Sequence, residues 1–182
     1  MDDRDLAAAV LEGGADSFKL IVDKYAPPAM ALALNVLGNR EDAEDACQEA
    51  FIQVFRNLGR YDGRAGFQTW LLTILYRRCL DVIRKRKRAF RLYDRARVEH
   101  IRTAEGPSPA ANPGKPLGEA VLRTLSPKER TALTLWANEG YSAVDISRVI
   151  NVSAGTARVY LFNARKKIKA VLEKDHACLQ NP

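Results

Sequence analysis

Residues 142–172 read SAVDISRVINVSAGTARVYLFNARKKIKAVL. Ser142 has the character of a helix N-cap, and Asp145 stands three residues on, the spacing of a capping box. Ile146, Val149 and Ile150 then recur at helical spacing, and Asn151 ends the run. Ser153 caps a second helix, whose inner face carries Ala157, Leu161, Ala164, Ile168, Val171 and Leu172. Two helices joined by Asn151-Val152-Ser153 have the dimensions of a helix-turn-helix. Such a unit lays its second helix in the major groove, with its first residues toward base edges. Here those are Ser153, Thr156, Arg158, Val159 and Tyr160, while Arg165, Lys166 and Lys167 are placed for phosphates, contacts that position without specifying. From Arg158 to Lys174 six basic residues face only Glu173. The basic outer face favours DNA over the alternative of an ordinary helical hairpin.

Working outward, the helix before this pair opens on Ser126-Pro127-Lys128-Glu129, an N-cap, a Pro at the first helical position and the Glu of a capping box. It carries Ala132, Leu133, Leu135 and Trp136 and stops at Gly140. A short helix over Leu117, Val121, Leu122 and Leu125 is expected before it. Residues 103–116, TAEGPSPAANPGKP, hold four Pro and two Gly and no large apolar side chain. Such a segment neither forms a helix nor buries a core. It reads as a linker between residues 1–102 and 117–182.

The first half is helical as well. Phe18, Ile21, Val22 and Tyr25 have helical spacing up to Pro27-Pro28, where the pattern predicts a break and a second helix ending at Gly38. Asn39 caps the next helix, which sets Ala43, Ala46, Cys47, Ala50, Phe51, Val54, Phe55 and Leu58 on one stripe and leaves Asp45, Gln48, Glu49 and Gln53 outside it. Gly59, Gly63 and Gly66 bracket a loop. A helix from about Phe67 carries Trp70, Leu71, Ile74, Leu75 and Leu80 into a basic stretch. The expected fold class is all-α, two small helical domains on a proline-rich joint.

The chain has 182 residues and a formal charge of +7. Eleven basic side chains against three acids lie within residues 77–102, so the surplus is concentrated there. Between Glu41 and Glu49 five acids stand with no base. Two basic clusters and one acidic helix suggest two polyanion contacts and a different, protein, contact. Three cysteines, Cys47, Cys79 and Cys178, are too few and too scattered for a disulfide framework or a zinc site. His100 and His176 stand far apart, and GxxxxGK[ST], HExxH and GxSxG are absent, so no catalytic centre, metal or cofactor is expected. No run approaches 18 uninterrupted apolar residues, so no membrane insertion is expected. The acidic start, Met1-Asp2-Asp3-Arg4-Asp5, lacks the apolar core of a secretory signal. A cytoplasmic location follows as the expectation.

Three groups of residues in the first half now stand out: Asp42-Ala43-Glu44-Asp45-Ala46-Cys47-Gln48-Glu49-Ala50-Phe51, Phe67-Gln68-Thr69-Trp70-Leu71, and Asp81-Val82-Ile83-Arg84-Lys85-Arg86. In the second half the groups are Leu125-Ser126-Pro127-Lys128-Glu129-Arg130, Gly140-Tyr141-Ser142, Asp145-Ile146, and Ser153-Ala154-Gly155-Thr156 with Ala164-Arg165. In this order the chain resembles regions 2 and 4 of the sigma-70 family of bacterial transcription initiation factors, and most closely the small extracytoplasmic-function (ECF) group. The similarity covers about residues 15–90 and 117–172. It implies a promoter-specificity subunit of RNA polymerase with no catalytic centre of its own.

Position by position, the resemblance implies that Asp45, Gln48 and Glu49 meet the coiled coil of the polymerase β′ subunit. The helix-turn-helix domain is implied to meet the β flap. Trp70 and the loop with Arg60, Tyr61 and Arg64 match the segment that captures an unstacked base of the −10 element. Arg77, Arg78, Arg84, Lys85 and Lys87 match the helix gripping the backbone there. Ser153, Thr156, Arg158, Val159, Tyr160, Arg165 and Lys166 match the −35 reader. An anti-sigma factor is the usual further partner in the group, and no obligate homo-oligomer is implied. Two positions depart from the family's habit. Arg77 stands where many members have Asn, and Val159-Tyr160 replace a usually polar or basic pair. The competing reading is a stand-alone helix-turn-helix regulator. It lacks a heptad seam for dimerisation and leaves the surface of Asp45, Gln48 and Glu49 unexplained.

Overall fold

The computed structural model describes residues 3–100 and 124–179, with no strand among them. Six α-helices follow one another among those residues: α1 (Asp3–Leu37), α2 (Arg40–Asn57), α3 (Phe67–His100), α4 (Pro127–Glu139), α5 (Ala143–Ile150) and α6 (Ala154–Leu179). A 3₁₀ turn, Leu58–Arg60, closes α2. The expected linker, residues 103–116, and the expected short helix through Leu122 lie outside the described residues.

Local chemistry sets most of these boundaries. Gly38 adopts φ 67°, a conformation a side chain disfavours, and ends α1. The Asn39 side chain accepts from the Glu41 N–H at 2.9 Å and starts α2. Ser126 and Glu129 form a complete capping box on α4, as Ser142 and Asp145 do on α5. Asn151, at φ 52°, makes the turn into α6, where the Ser153 hydroxyl accepts from the Thr156 N–H at 3.1 Å.

The break expected at Pro27-Pro28 does not occur. Both prolines lie inside one continuous α1. Proline removes two intrahelical donors there. Pro27 is exposed, beside exposed Asp23 and Lys24, so the carbonyls left without those donors lie on the solvent side. The opposite side is held by burial of Ile21, Tyr25, Ala29, Leu32, Ala33 and Val36. That burial also accounts for the one described stretch apolar enough to pass for a membrane span, Ser17–Leu37 at mean hydropathy 1.2. Its apolar face packs on α2 and α3.

α1, α2 and α3 pack mutually, and α4, α5 and α6 do the same. The two groups also pack together, α1 on α4 and α3 on α5, and one buried apolar cluster runs from Ile21, Leu32 and Leu72 through Leu135, Ile146 and Val149. Polar ties cross this seam. Gln68 donates to Glu139 at 2.7 Å, and the Thr69 and Tyr141 hydroxyls are 3.3 Å apart.

Candidate functional site

The apolar stripe of α2 is narrower than the sequence pattern implies. Ala43, Ala46, Cys47, Ala50 and Val54 are buried, but Phe55 is 44% exposed. Burial pushes the Cys47 thiol up to about 11, with the nearby Glu44 carboxylate adding to it. Phe18 of α1 meets the Phe55 ring edge-on at 5.0 Å and Phe51 at 6.5 Å. Phe18, Val22, Phe51, Ile52 and Phe55 line a largely apolar groove of about 540 Å³ with Gln48 on its rim. Asp45, Gln48 and Glu49 are all exposed.

On the other side of Glu49 a second groove, about 610 Å³, separates α2 from α3. Its α2 wall is acidic, with Asp42, Asp45 and Glu49; its α3 wall is mostly basic, with Arg78, Arg84, Lys85, Arg86 and Arg88. Arg86 pairs with Asp42 and donates to the Leu37 carbonyl at 3.1 Å, satisfying the end of α1. Arg78 donates to the Gln53 side chain at 3.0 Å and reaches Glu49 at 4.0 Å. Arg78, grouped by the resemblance with DNA-gripping residues, is thus turned toward the acidic helix. Arg84 is held by Asp81 at 2.8 Å, while Arg77, Lys85 and Lys87 are exposed.

The loop before α3 builds an aromatic cluster. The Tyr61 ring lies 5.2 Å from Phe67 and 5.3 Å from Trp70, and Phe67 lies 5.6 Å from Trp70. The Tyr61 hydroxyl donates to the Ala65 carbonyl at 2.8 Å, which closes the loop across Gly63, a left-handed position at φ 67°. Asp62 accepts from the Arg64 N–H at 3.0 Å and pairs with its guanidinium at 3.3 Å. Phe67 is buried, Trp70 and Tyr61 are half-buried, and Arg60 and Arg64 are exposed. Trp70 is therefore a supported ring with an accessible part, neither a core tryptophan nor a free one. The seam contacts of Gln68 and Thr69 are its immediate neighbours in the chain.

In the helix-turn-helix, α6 is rooted by Lys167. Its ammonium donates to both oxygens of Glu129, at 2.7 and 3.0 Å. Glu129 is 5% exposed and also accepts from the Ser126 N–H at 2.8 Å. Burial alone would raise this carboxyl; the bonds from Lys167 and Ser126 outweigh it and hold it below the usual value. Arg165 does not point freely outward but lies 4.0 Å from the Trp136 ring centre. Trp136, expected on the inner face of α4, is 44% exposed. Tyr160 is half-buried and packs against the apolar cluster, with Lys128 5.7 Å from its ring. Across the seam lies Tyr76, whose hydroxyl is buried without a hydrogen-bond partner. Its phenol is pushed up to about 12 by burial first, then by Tyr160 and Cys79, against an opposing contribution from Arg84. Arg158, Val159 and Lys166 are exposed, and the Ser153 and Thr156 hydroxyls bond each other at 2.8 Å.

Comparison with known proteins agrees with this layout. Residues 21–89 match Sigma-70 region 2, and residues 119–168 match Sigma-70 region 4. The RNA polymerase sigma-H factor of Pseudomonas aeruginosa is 31% identical over 182 residues, 94% of each chain. The chain belongs to the ECF group of the sigma-70 family. ECF RNA polymerase sigma factor SigW of Bacillus subtilis is 29% identical over 174 residues, 90% of this chain and 92% of that one. Among solved structures, the sigma factor RpoE of Bartonella quintana, in complex with the anti-sigma factor NepR, superposes with a TM-score of 0.69 at 21% identity, over 87% of this chain and 98% of that one. CnrH, in complex with the cytosolic domain of CnrY, gives 0.68 at 27% identity, over 95% and 98%. This sigma factor is thus an RNA polymerase initiation factor. The reading as a stand-alone regulator is not favoured.

Two features were not read from the sequence. The apolar groove around Phe18 and Phe55 arises because α1 covers only part of the α2 stripe. The seam between the halves depends on pairs some seventy residues apart, Gln68 with Glu139 and Thr69 with Tyr141.

Proposed function

We propose that this sigma factor holds core RNA polymerase through α2 and reads promoter DNA at two places. It captures an unstacked −10 base beside Trp70 and reads the −35 element with α6. The observation that carries this reading is the aromatic cluster of Tyr61, Phe67 and Trp70 at the start of the basic helix. A part-exposed ring packed at a tilt against two others is a platform for a splayed base, and exposed Arg60, Arg64 and Arg77 supply charge for the strand. Opening the duplex exchanges stacking between bases for stacking on protein, with no bond made or broken by the sigma factor itself.

Asp45, Gln48 and Glu49 form the contact for the β′ coiled coil, which calls for a helix with basic residues over an apolar stripe. Residues 117–182 form the −35 domain, which also meets the β flap, and residues 103–116 connect it to the first. A cytoplasmic location and regulation by an anti-sigma factor complete the proposal, the latter supported by the partner named with the Bartonella relative. Run-off transcription with bacterial core polymerase and a promoter library tests it. Discrete starts downstream of a shared pair of elements are expected. Unselective initiation, or no retention on core polymerase, refutes it.

A further inference from the structure

The outward stripe of α6 has an unusual composition for a base-reading face. Gly155, Arg158, Val159, Phe162, Arg165, Lys166 and Lys169 are its exposed positions. At about 100° per residue, Phe162 falls at the middle, with Lys166 and then Val159 on one side and Lys169, Arg158 and Arg165 on the other. Val159 is 54% exposed and Phe162 67%. One acid, Glu173, continues the stripe a turn beyond Lys169 and pairs with it at 3.7 Å. An exposed apolar pair among four cations suits a polyanion that offers apolar groups at the bottom of a groove.

The polar groups that ordinarily read bases are largely engaged here. The Ser153 and Thr156 hydroxyls bond each other, and Ser153 also caps the helix. Arg165 stacks on Trp136, and Tyr160 packs against the apolar cluster with Lys128 by its ring. Arg158 is the exposed guanidinium left at the amino-terminal end. The major groove carries one apolar base group, the C5 methyl of thymine. Val159 and Phe162 are separated by about 4.5 Å of helix rise, close to the roughly 3.4 Å step of stacked bases.

We infer that Val159 and Phe162 form a methyl-reading ridge, so that −35 selectivity of this sigma factor depends on thymine methyl groups at one or two positions. Val159 was already placed among the −35 residues; the ridge adds Phe162 and names the chemical group read. The inference rests on the proposed −35 role of α6. The fit comes from the cations on either side of Phe162, Lys166 on one and Arg158 and Lys169 on the other, which complement phosphates across a groove about 12 Å wide.

The test uses the full chain with core polymerase on duplexes whose −35 sequence has been selected from a randomised library. Each −35 thymine is replaced singly by deoxyuridine, which removes only the methyl. Burying one such group corresponds to about a fourfold change in affinity. Wild-type holoenzyme is expected to lose about that factor at one or two positions. Phe162→Ala or Val159→Ala is expected to bring the thymine-to-uracil ratio at those positions to about 1. Both side chains are exposed, so neither change empties the core, and the wild-type arm needs no variant at all. The ridge is overturned if no position responds to deoxyuridine, or if both variants keep the full penalty. It is also overturned if Phe162→Ala weakens core-polymerase binding without DNA and leaves the ratio intact, which marks a protein-docking ridge. Scrambling the whole −35 element separates the two levels. Loss of binding on scrambling with silent deoxyuridine arms refutes only the methyl readout, whereas indifference to scrambling refutes the −35 role itself.

Discussion

Glu129→Ala is the sharpest test of how the reading helix is held. The carboxylate is buried at the first turn of α4, takes two bonds from Lys167 and closes the capping box on Ser126. Losing the reciprocal cap costs about 1 kcal/mol. Losing one partner of a fully buried ion pair costs about 3–5 kcal/mol, but Lys167 keeps 43% of its side-chain exposure and is rehydrated when released. That rehydration cuts the ion-pair loss to about 1–2 kcal/mol, so with the cap a total of about 2–3 kcal/mol is expected. Urea unfolding followed by far-ultraviolet circular dichroism reads this directly. The pH dependence gives an independent check. The carboxyl sits lower in the folded chain than in the unfolded one, so its contribution is complete above the unfolded value and fades as pH falls through the folded value. Glu129→Gln is expected to lose stability at pH 7 while the gap from wild type narrows on acidification below about pH 4. A gap constant from pH 7 to pH 3, or a cost below about 0.5 kcal/mol at pH 7, shows that the pair does not root α6.

Four further outcomes are expected. Trp70→Ala should reduce open-complex formation about tenfold, given roughly 1–3 kcal/mol per stacked base, and affect closed binding much less; normal permanganate reactivity in the −10 region rejects base capture there. Asp45→Lys and Glu49→Lys should each weaken core-polymerase binding about threefold to tenfold at low salt and less at high salt, measured by fluorescence anisotropy; unchanged affinity removes α2 as the docking face. Tyr76→Phe should raise stability by about 1 kcal/mol because it deletes a buried hydroxyl without a partner; a loss of that size in urea unfolding contradicts the burial. Burial pushes the Cys79 thiol up to about 12, as it pushes Cys47 to about 11, so in a Cys178→Ser background a disulfide reagent should label neither at pH 8 until denaturant is added; fast native labelling shows that the α2–α3 interface opens.

What the sequence makes legible is what short-range chemistry decides. The caps at Asn39, Ser126, Ser142 and Ser153 lie within three residues of the groups they satisfy, so the starts of α2, α4, α5 and α6 are readable. The ends at Gly38, Gly140 and Asn151 are readable because each needs a left-handed backbone. Pro27 and Pro28 mislead for the same reason in reverse. The local penalty is real, but α1 buries one side from Ile21 to Val36 against its neighbours, and that tertiary gain overrides a break no neighbour enforces. Phe55 and Trp136 mislead because apolar spacing marks a face without saying how much of it a partner covers. Arg78, Arg165 and Tyr160 lie in the segments expected of them, yet their directions are set by Gln53, Trp136 and the seam, all distant in sequence.

The seam bears on how the proposed function can proceed. Elements centred near −35 and −10 are about 25 base pairs apart, or roughly 85 Å at about 3.4 Å per pair. In the packed arrangement Tyr76 of α3 lies within the apolar cluster that crosses the seam and Tyr160 of α6 packs against the same cluster, so the two helices proposed to face DNA share one core. This arrangement therefore cannot bridge both elements. Residues 103–116 reach at most about 45–50 Å when extended, and the widths of the two domains supply the remainder. Separation uncovers the part of the apolar cluster that the two halves share, whose burial favours the packed form. Something must offset that cost, and in the proposed function the surfaces available to do so are those of α2 and the helix-turn-helix, engaged by polymerase far apart. Promoter reading by this chain is then coupled to polymerase binding through the same apolar contacts that hold its halves together.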